Sequence, residues 1–135
     1  MSRKSKIIGE YTRISQKTSC YDLLDQLHGT AITQADALDL VQHLAQTFQI
    51  QVGKVLFKPH HKGRAMWRTR NIILPATPKH DTRRTGFLRV GIVVHEVCHL
   101  LALQRGCKNH GEVFVKTLDE LTLYVGQYLK QSKAA

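Results

Sequence analysis

The chain has 135 residues, of which 42% are hydrophobic and 22% charged, and its formal net charge is +10. This length accommodates one modest hydrophobic core rather than two, and no apolar run approaches the ~18 residues of a membrane span. The three cysteines form no CxxC pair, which argues against a disulfide framework, and the basic N-terminus lacks the apolar stretch of a secretory leader. We therefore expect a cytoplasmic protein with no membrane partner.

The positive charge is concentrated in one part of the chain. Ten Lys or Arg residues and a single acid, Asp81, lie in residues 54–89, here called the basic segment. Such a field attracts phosphate backbones without any need for sequence recognition, although a solvated surface with no partner explains the charge equally well. The candidate nucleic-acid contacts in this segment are Lys62, Arg64, Arg68 and Arg70.

The N-terminal third of the chain predicts helices. Residues 1–30 form a segment of uncertain structure, in which a short strand at 7–14 and a short helix at 21–28 fit the pattern best. Apolar residues then recur at helical spacing over 33–48. Thr33, with an acid three residues later, resembles a capping box. The sequence therefore predicts a capped amphipathic helix at this point.

The middle of the chain predicts a small sheet. Alternating apolar residues favour a strand over 51–57, and two further strands are expected at 65–68 and 71–74. A tight turn at 69–70 would join the last two strands, and Pro75 would end the second of them. These three strands precede the most informative part of the sequence.

Two helices complete the predicted architecture. A polar loop at 76–85 leads into an apolar helix at 86–105, which Gly106 would terminate. Asn109 can cap a last helix over 109–127. The order of helix, three strands and two helices predicts an α+β fold with the strands on one side.

The predicted helix at 86–105 carries an HExxH motif, His95-Glu96-Val97-Cys98-His99. Two histidines four residues apart lie on one helix face, so both imidazoles can reach a single metal ion. Glu96 lies one step round the helix, where its carboxylate can hold a water at that ion. Cys98 points away from this face and is expected to pack in the core. The motif therefore predicts a zinc site with His95 and His99 as ligands and Glu96 as catalytic base.

A catalytic zinc ion normally takes three protein ligands and keeps one position open. His110 is the first candidate for the third ligand after the stop at Gly106. Glu112 is its rival, because many HExxH enzymes use a downstream carboxylate. A carboxylate three residues after Asn109 can instead serve the helix terminus, so the spacing favours His110. Three residues of the last helix are candidates for supporting the ligands from behind: Asp119, Glu120 and Tyr124.

The chain resembles the SprT-like (Spartan-type) zinc metallopeptidases, some of which act on DNA–protein crosslinks. The resemblance lies in the order of three features: HExxH, a helix stop and then His110-Gly111-x-x-Phe114. The upstream residues 63–67 and 72–74 resemble the hairpin of that group. Small phage and actinobacterial HExxH metallohydrolases have the same order of motifs. The resemblance covers roughly residues 50–125 and implies that His95, His99 and His110 bind zinc and that Glu96 is the base.

The resemblance also implies a fold and an activity. The fold would be a minimal zincin-like metallopeptidase domain over 31–130, preceded by the segment 1–30. The activity would be hydrolysis of peptide bonds in a protein or peptide substrate, with DNA as a further partner through the basic segment. The strand at 72–74 could align an extended substrate by main-chain hydrogen bonds if it borders the cleft. Two alternatives remain: a non-catalytic nucleic-acid-binding protein with a structural zinc, and a regulatory peptidase that cleaves repressors.

Overall fold

A computed structural model describes residues 13–14, 16–59, 62–76 and 87–134 of the chain. These residues form an α+β fold with four helices and a small three-stranded mixed sheet, which confirms the predicted class. In chain order the elements are α1 (Tyr21–His28), α2 (Gln34–Phe48), β1 (Val55–Lys58), β2 (Arg64–Ala65), β3 (Ile72–Pro75), α3 (Val90–Gln104) and α4 (Glu112–Ala134). Of the strand predicted at 7–14, only residues 13 and 14 are described, and they are helical.

The first two helices form where the sequence predicts them. α1 ends before Gly29, and its Leu24 and Leu27 are buried. At the start of α2, the side chain of Thr33 accepts a hydrogen bond from the backbone N–H of Asp36 at 3.1 Å, as the capping pattern predicts. α1 packs against α3 and α4, so it contributes to the same core as the metal-binding motif.

The sheet differs from the prediction in the connection between its last two strands. Arg64 and Ala65 pair antiparallel with β3, but the chain leaves the sheet there, and Met66 N–H donates to the carbonyl of Asn71 at 2.8 Å across a four-residue loop. Arg70 takes a left-handed conformation (φ 65°) in this loop. The predicted strand at 65–68 and its two-residue turn are therefore wrong beyond Ala65.

β3 lies in the centre of the sheet, between β1 and β2. β1 runs parallel to it, with Val55 beside Ile72, and all four β3 residues are buried. β1 pairs along the whole of β3, and β2 pairs with Ile72 and Ile73 on the other edge, so at these two residues no main-chain edge is left to align a substrate strand. On the side of the sheet away from β1, the edge strand is β2.

α3 is the central helix of the fold, with twelve of its fifteen residues buried. It begins at Val90, later than predicted, because the residues before it are extended: Arg89 has φ −149° and ψ 158° and bridges to Ala31. Val90 N–H donates to the carbonyl of Thr30 at 2.9 Å. The predicted stop is confirmed by Gly106, whose φ of +90° suits glycine.

α4 begins at Glu112 and continues to Ala134, past the predicted end at 127. Asn109 lies too far ahead of the helix to be its N-cap, but its side-chain oxygen accepts a hydrogen bond from Gly111 N–H at 2.9 Å and so turns the chain into the helix. Among the described residues there is no helix both long and apolar enough to cross a membrane.

Candidate metal centre

Three histidines from α3 and the loop before α4 converge on one point. One ligand atom from each of His95, His99 and His110 lies within 4.8 Å of the other two, so the three could hold a metal ion. The Nε2 atoms of His99 and His110 are 3.0 Å apart. His95 is buried, whereas His99 and His110 are half-buried and face the outside. The cluster is thus anchored in the core and open on one side.

The spacing of the three rings suits a tetrahedral ion. Nitrogen ligands at the usual zinc distance lie about 3.3 Å from one another around a tetrahedron, with ring centroids about 5.2 Å apart. The observed centroid distances are 5.0 Å for His95–His99, 5.3 Å for His95–His110 and 4.7 Å for His99–His110. The donor set and its geometry therefore fit a three-histidine metal site.

The ring of Phe114 packs against all three imidazoles. Its ring centroid lies 5.2, 4.6 and 4.7 Å from those of His95, His99 and His110, and its side chain is fully buried. Phe114 lies in the first turn of α4, so the helix that follows the third histidine also supports the other two.

The environment keeps His95 and His99 neutral, as metal binding requires. Burial lowers the pKa of His95 well below its usual 6.5, and the neighbouring His99 and His110 lower it further. Burial and then the proximity of His110 lower the pKa of His99 to about 4. At neutral pH both imidazoles are therefore in the neutral form that binds cations.

The two acids of the motif region lie in different surroundings. Glu96 is buried, at 3% exposure, beside the first histidine on α3. Glu112 is exposed at the start of α4, where its carboxylate pairs with Lys116 Nζ at 3.4 Å. The structure therefore brings His110, and not Glu112, to the other two histidines. It also buries Cys98, which donates a hydrogen bond to the carbonyl of Phe114 at 3.5 Å, as expected for a core residue.

The candidate supporting residues on α4 are engaged elsewhere. Asp119 accepts hydrogen bonds from Ser19 and Cys20 at the start of α1. Glu120 pairs with Arg105 at 2.8 Å. The Tyr124 hydroxyl lies 2.7 Å from His43 Nε2 on α2. These three residues fasten α4 to other segments, so their expected role beside the ligands is wrong.

Sequence reasoning missed a buried pair beside α3. His28 and Arg89 are each 1% exposed, and Arg89 Nε donates to His28 Nδ1 at 3.2 Å. The His28 ring lies against the backbone of α3 at Gly91, where a Cβ would come within 2.3 Å of it. A glycine inside an otherwise apolar helix was the signal of this close approach. Gly91 is one turn before His95, so the pair fixes α3 close to the cluster.

The candidate nucleic-acid contacts lie on and around β2. Lys62, Arg64 and Arg68 are exposed, whereas Arg70 is half-buried and donates to the carbonyl of Trp67. Trp67 itself is 49% exposed, with the Arg68 guanidinium 5.0 Å and Lys108 Nζ 4.1 Å from its ring centroid. The sequence did not reveal the contact of Trp67 with Lys108, because these residues belong to segments far apart in the chain.

No protein-family model, curated protein or solved structure was found to match this chain.

Proposed function

We propose that this protein is a zinc-dependent metallopeptidase with a zincin-like fold related to the SprT-like group. The observation that carries the proposal is the convergence of His95, His99 and His110 within 4.8 Å of one another. Two of these histidines belong to an HExxH motif on a buried helix, and the third follows that helix after a glycine stop, as the resemblance implies.

The number and type of ligands favour a catalytic zinc. Structural zinc sites are closed by four ligands, whereas catalytic sites use three and leave one position for water or substrate. In the described part of the chain the ligand group stops at three, and none of the three is a thiolate. The half-buried faces of His99 and His110 give that open position access to solvent. These features favour an enzyme over a protein with a purely structural zinc.

Each residue of the centre has a defined task in the proposed reaction. A bound zinc ion would act as a Lewis acid and would lower the pKa of a water bound to it to about 7. The three histidines hold the ion, and Phe114 keeps their rings in place. Glu96 takes the proton of the attacking water and passes it to the leaving amine. Its burial excludes bulk water from this transfer.

The test is zinc analysis and peptide cleavage for wild type and Glu96→Gln. The glutamine has nearly the same shape but cannot accept the proton, so zinc content should stay near one per chain while hydrolysis of casein falls by several orders of magnitude. Glu112→Gln is the matched control, because this nearby glutamate is exposed and paired with Lys116. Hydrolysis by Glu96→Gln as fast as by wild type would refute the role of Glu96 as the base, whereas a zinc-loaded wild type that hydrolyses no peptide would favour the non-catalytic alternative.

DNA is the partner that we propose in addition, on the strength of the surface around Trp67. A half-exposed aromatic ring with cations beside it is typical of surfaces that bind single-stranded nucleic acid. Lys108 belongs to the loop that carries His110, so a strand bound at Trp67 would lie close to the metal centre. A substrate protein attached to DNA would thereby be brought to the cleavage site.

Salt-dependent binding tests this partner. Each neutralised phosphate adds roughly 0.9 to the slope of log affinity against log salt on duplex DNA and roughly 0.7 on single strands. We expect a triple change of Arg64, Arg68 and Arg70 to Ala to lower this slope, with Lys130→Ala at the far end of α4 as the control. An unchanged slope in the triple variant would mean that these arginines contact no phosphate.

A regulatory peptidase that cleaves repressors is less well supported. This alternative requires a downstream acid as the third metal ligand. The candidate acid, Glu112, is exposed and paired with Lys116.

A further inference from the structure

A cavity of about 450 Å³ opens directly beside His110. Its inner wall is the first two turns of α4, and its outer wall is the turn formed by Lys17, Thr18 and Ser19 ahead of α1. From Glu112 to Asp119 it extends along the helix for about 10 Å, at 1.5 Å per residue. This is enough room for a side chain or chain end of a substrate whose reacting bond lies at the metal centre.

The charged groups of the cavity differ in whether they already have a hydrogen-bond or ion-pair partner. The Asp119 carboxylate accepts four hydrogen bonds: from Ser19 N–H at 3.1 Å, Ser19 Oγ at 3.0 Å, Cys20 N–H at 3.1 Å and Cys20 Sγ at 2.9 Å. Glu112 and Lys116 pair with each other at 3.4 Å. Lys17 is exposed, and within the described part of the chain its ammonium group has no ion pair or hydrogen bond. Among the described residues of the cavity, Lys17 is thus the charged group that can still pair with a ligand, and its charge is positive.

The outer wall is held in a fixed place. The same hydrogen bonds that occupy Asp119 fasten Ser19 and Cys20 to α4, across nearly the whole length of the chain. Thr18, between them and Lys17, is buried at 7% exposure. Lys17 is therefore presented from an anchored turn, and its position relative to His110 is set by the fold.

We infer that this cavity is the specificity subsite of the metal centre and that Lys17 selects a carboxylate next to the reacting group. The carboxylate can belong to an acidic side chain or to the C-terminal end of a substrate chain. The inference rests on the proposed function in so far as it needs a metal ion on the three histidines, but it does not need catalysis. Residues ahead of α1 would then help to choose the substrate.

Binding of hydroxamates to the zinc-loaded protein tests the subsite without turnover. Hydroxamates chelate the metal, and two matched pairs vary only the distal charge. N-acetyl-glutamyl and N-acetyl-glutaminyl hydroxamate test a side-chain carboxylate, whereas succinic monohydroxamate and its monoamide test a chain-end carboxylate. Acetohydroxamate, which has no extension, reports on the metal alone. Dissociation constants are measured by calorimetry.

We expect the acid of at least one pair to bind about two- to fivefold more tightly than its amide, as for an exposed ion pair. Lys17→Glu should reverse this preference, and Lys17→Arg should retain it. Lys130→Glu makes the same charge change near the far end of α4, about 27 Å from Glu112 at 1.5 Å per residue, and should leave the preference intact. Acetohydroxamate should bind equally to all four proteins, which also shows that the variants are folded.

Absence of a preference in wild type, or an unchanged preference in Lys17→Glu, would overturn the inference. The pair with the larger preference identifies the source of the carboxylate. A protein that discriminates these probes but hydrolyses no peptide would retain the subsite and lose the proposed function. A protein that cleaves peptides but does not discriminate the probes would retain the proposed function and lose the subsite. Failure to bind zinc would overturn the subsite and the proposed function together.

Discussion

Replacing Phe114 by leucine should weaken zinc binding more than it weakens the fold. Phe114 is fully buried, and its ring lies 4.6 to 5.2 Å, centroid to centroid, from all three histidines. Leucine conserves most of the volume, so the expected loss of stability is below about 1.5 kcal/mol. Without this ring the three imidazoles are no longer held in their binding orientation, and ordering them when zinc binds costs about 0.5–1.5 kcal/mol for each side chain, together at least about 1.5 kcal/mol. Because 1.4 kcal/mol is a factor of ten in an equilibrium constant, the Kd for zinc should rise about tenfold or more.

Competition with a chromophoric chelator measures this Kd, and urea unfolding of the metal-free protein measures stability. Leu118→Ala is the matched control: Leu118 is also fully buried, one turn further along α4. Its truncation should cost about 2–5 kcal/mol of stability yet change the zinc Kd little. If Phe114→Leu binds zinc as tightly as wild type, or if Leu118→Ala weakens binding as much, the idea that Phe114 supports the ligands is refuted.

Three further predictions follow from other parts of the structure. His110→Ala should lose zinc and activity, while Glu112→Ala should keep both and cost at most about 1 kcal/mol of stability, since only its exposed pair with Lys116 is lost; the reverse result, by metal analysis, would make Glu112 the ligand. Gly91→Ala should lower the free energy of unfolding by about 1–3 kcal/mol, because the new Cβ would come within 2.3 Å of the His28 ring; a stabilised variant in urea unfolding would contradict that contact. Burial lowers the pKa of His28 well below 6.5. Below pH 6.5 the unfolded metal-free chain therefore takes up protons that the folded chain does not. As the pH falls below 6.5, the free energy of unfolding should decrease by about 1.4 kcal/mol per pH unit for each such histidine. Equal stability at pH 7.5 and 5.5 in the presence of EDTA would show that these histidines are not held neutral.

Local chemistry made much of the centre predictable from the sequence. Helical spacing alone brings His95 and His99 to one face, and a glycine stop leaves a short loop in which His110 is the first histidine. Thr33 determined the start of α2 in the same way, because its cap bonds lie within four residues. Where the interacting residues are close in sequence, the residue pattern was sufficient to predict the local structure.

The remaining features depend on partners distant in the chain. The start of α3 at Val90 is fixed by Thr30 and Ala31, which hold the preceding residues extended. β3 is central because β1 and β2 pair with opposite edges of it, and periodicity carries no information on strand order. Lys17 reaches the surroundings of His110 only because Asp119 anchors the intervening turn. These long-range contacts are decided by packing of the whole domain.

The closeness of the three histidines in the chain has a consequence for folding. His95 and His110 are separated by only fifteen positions, so closing the loop between them costs little chain entropy and takes well under a microsecond once the chain collapses. A metal ion can therefore engage a nascent α3–α4 hairpin before the sheet has assembled. It would act as an early organiser of the domain, and its affinity for that partly folded hairpin would reduce the extra stability that it confers on the finished fold.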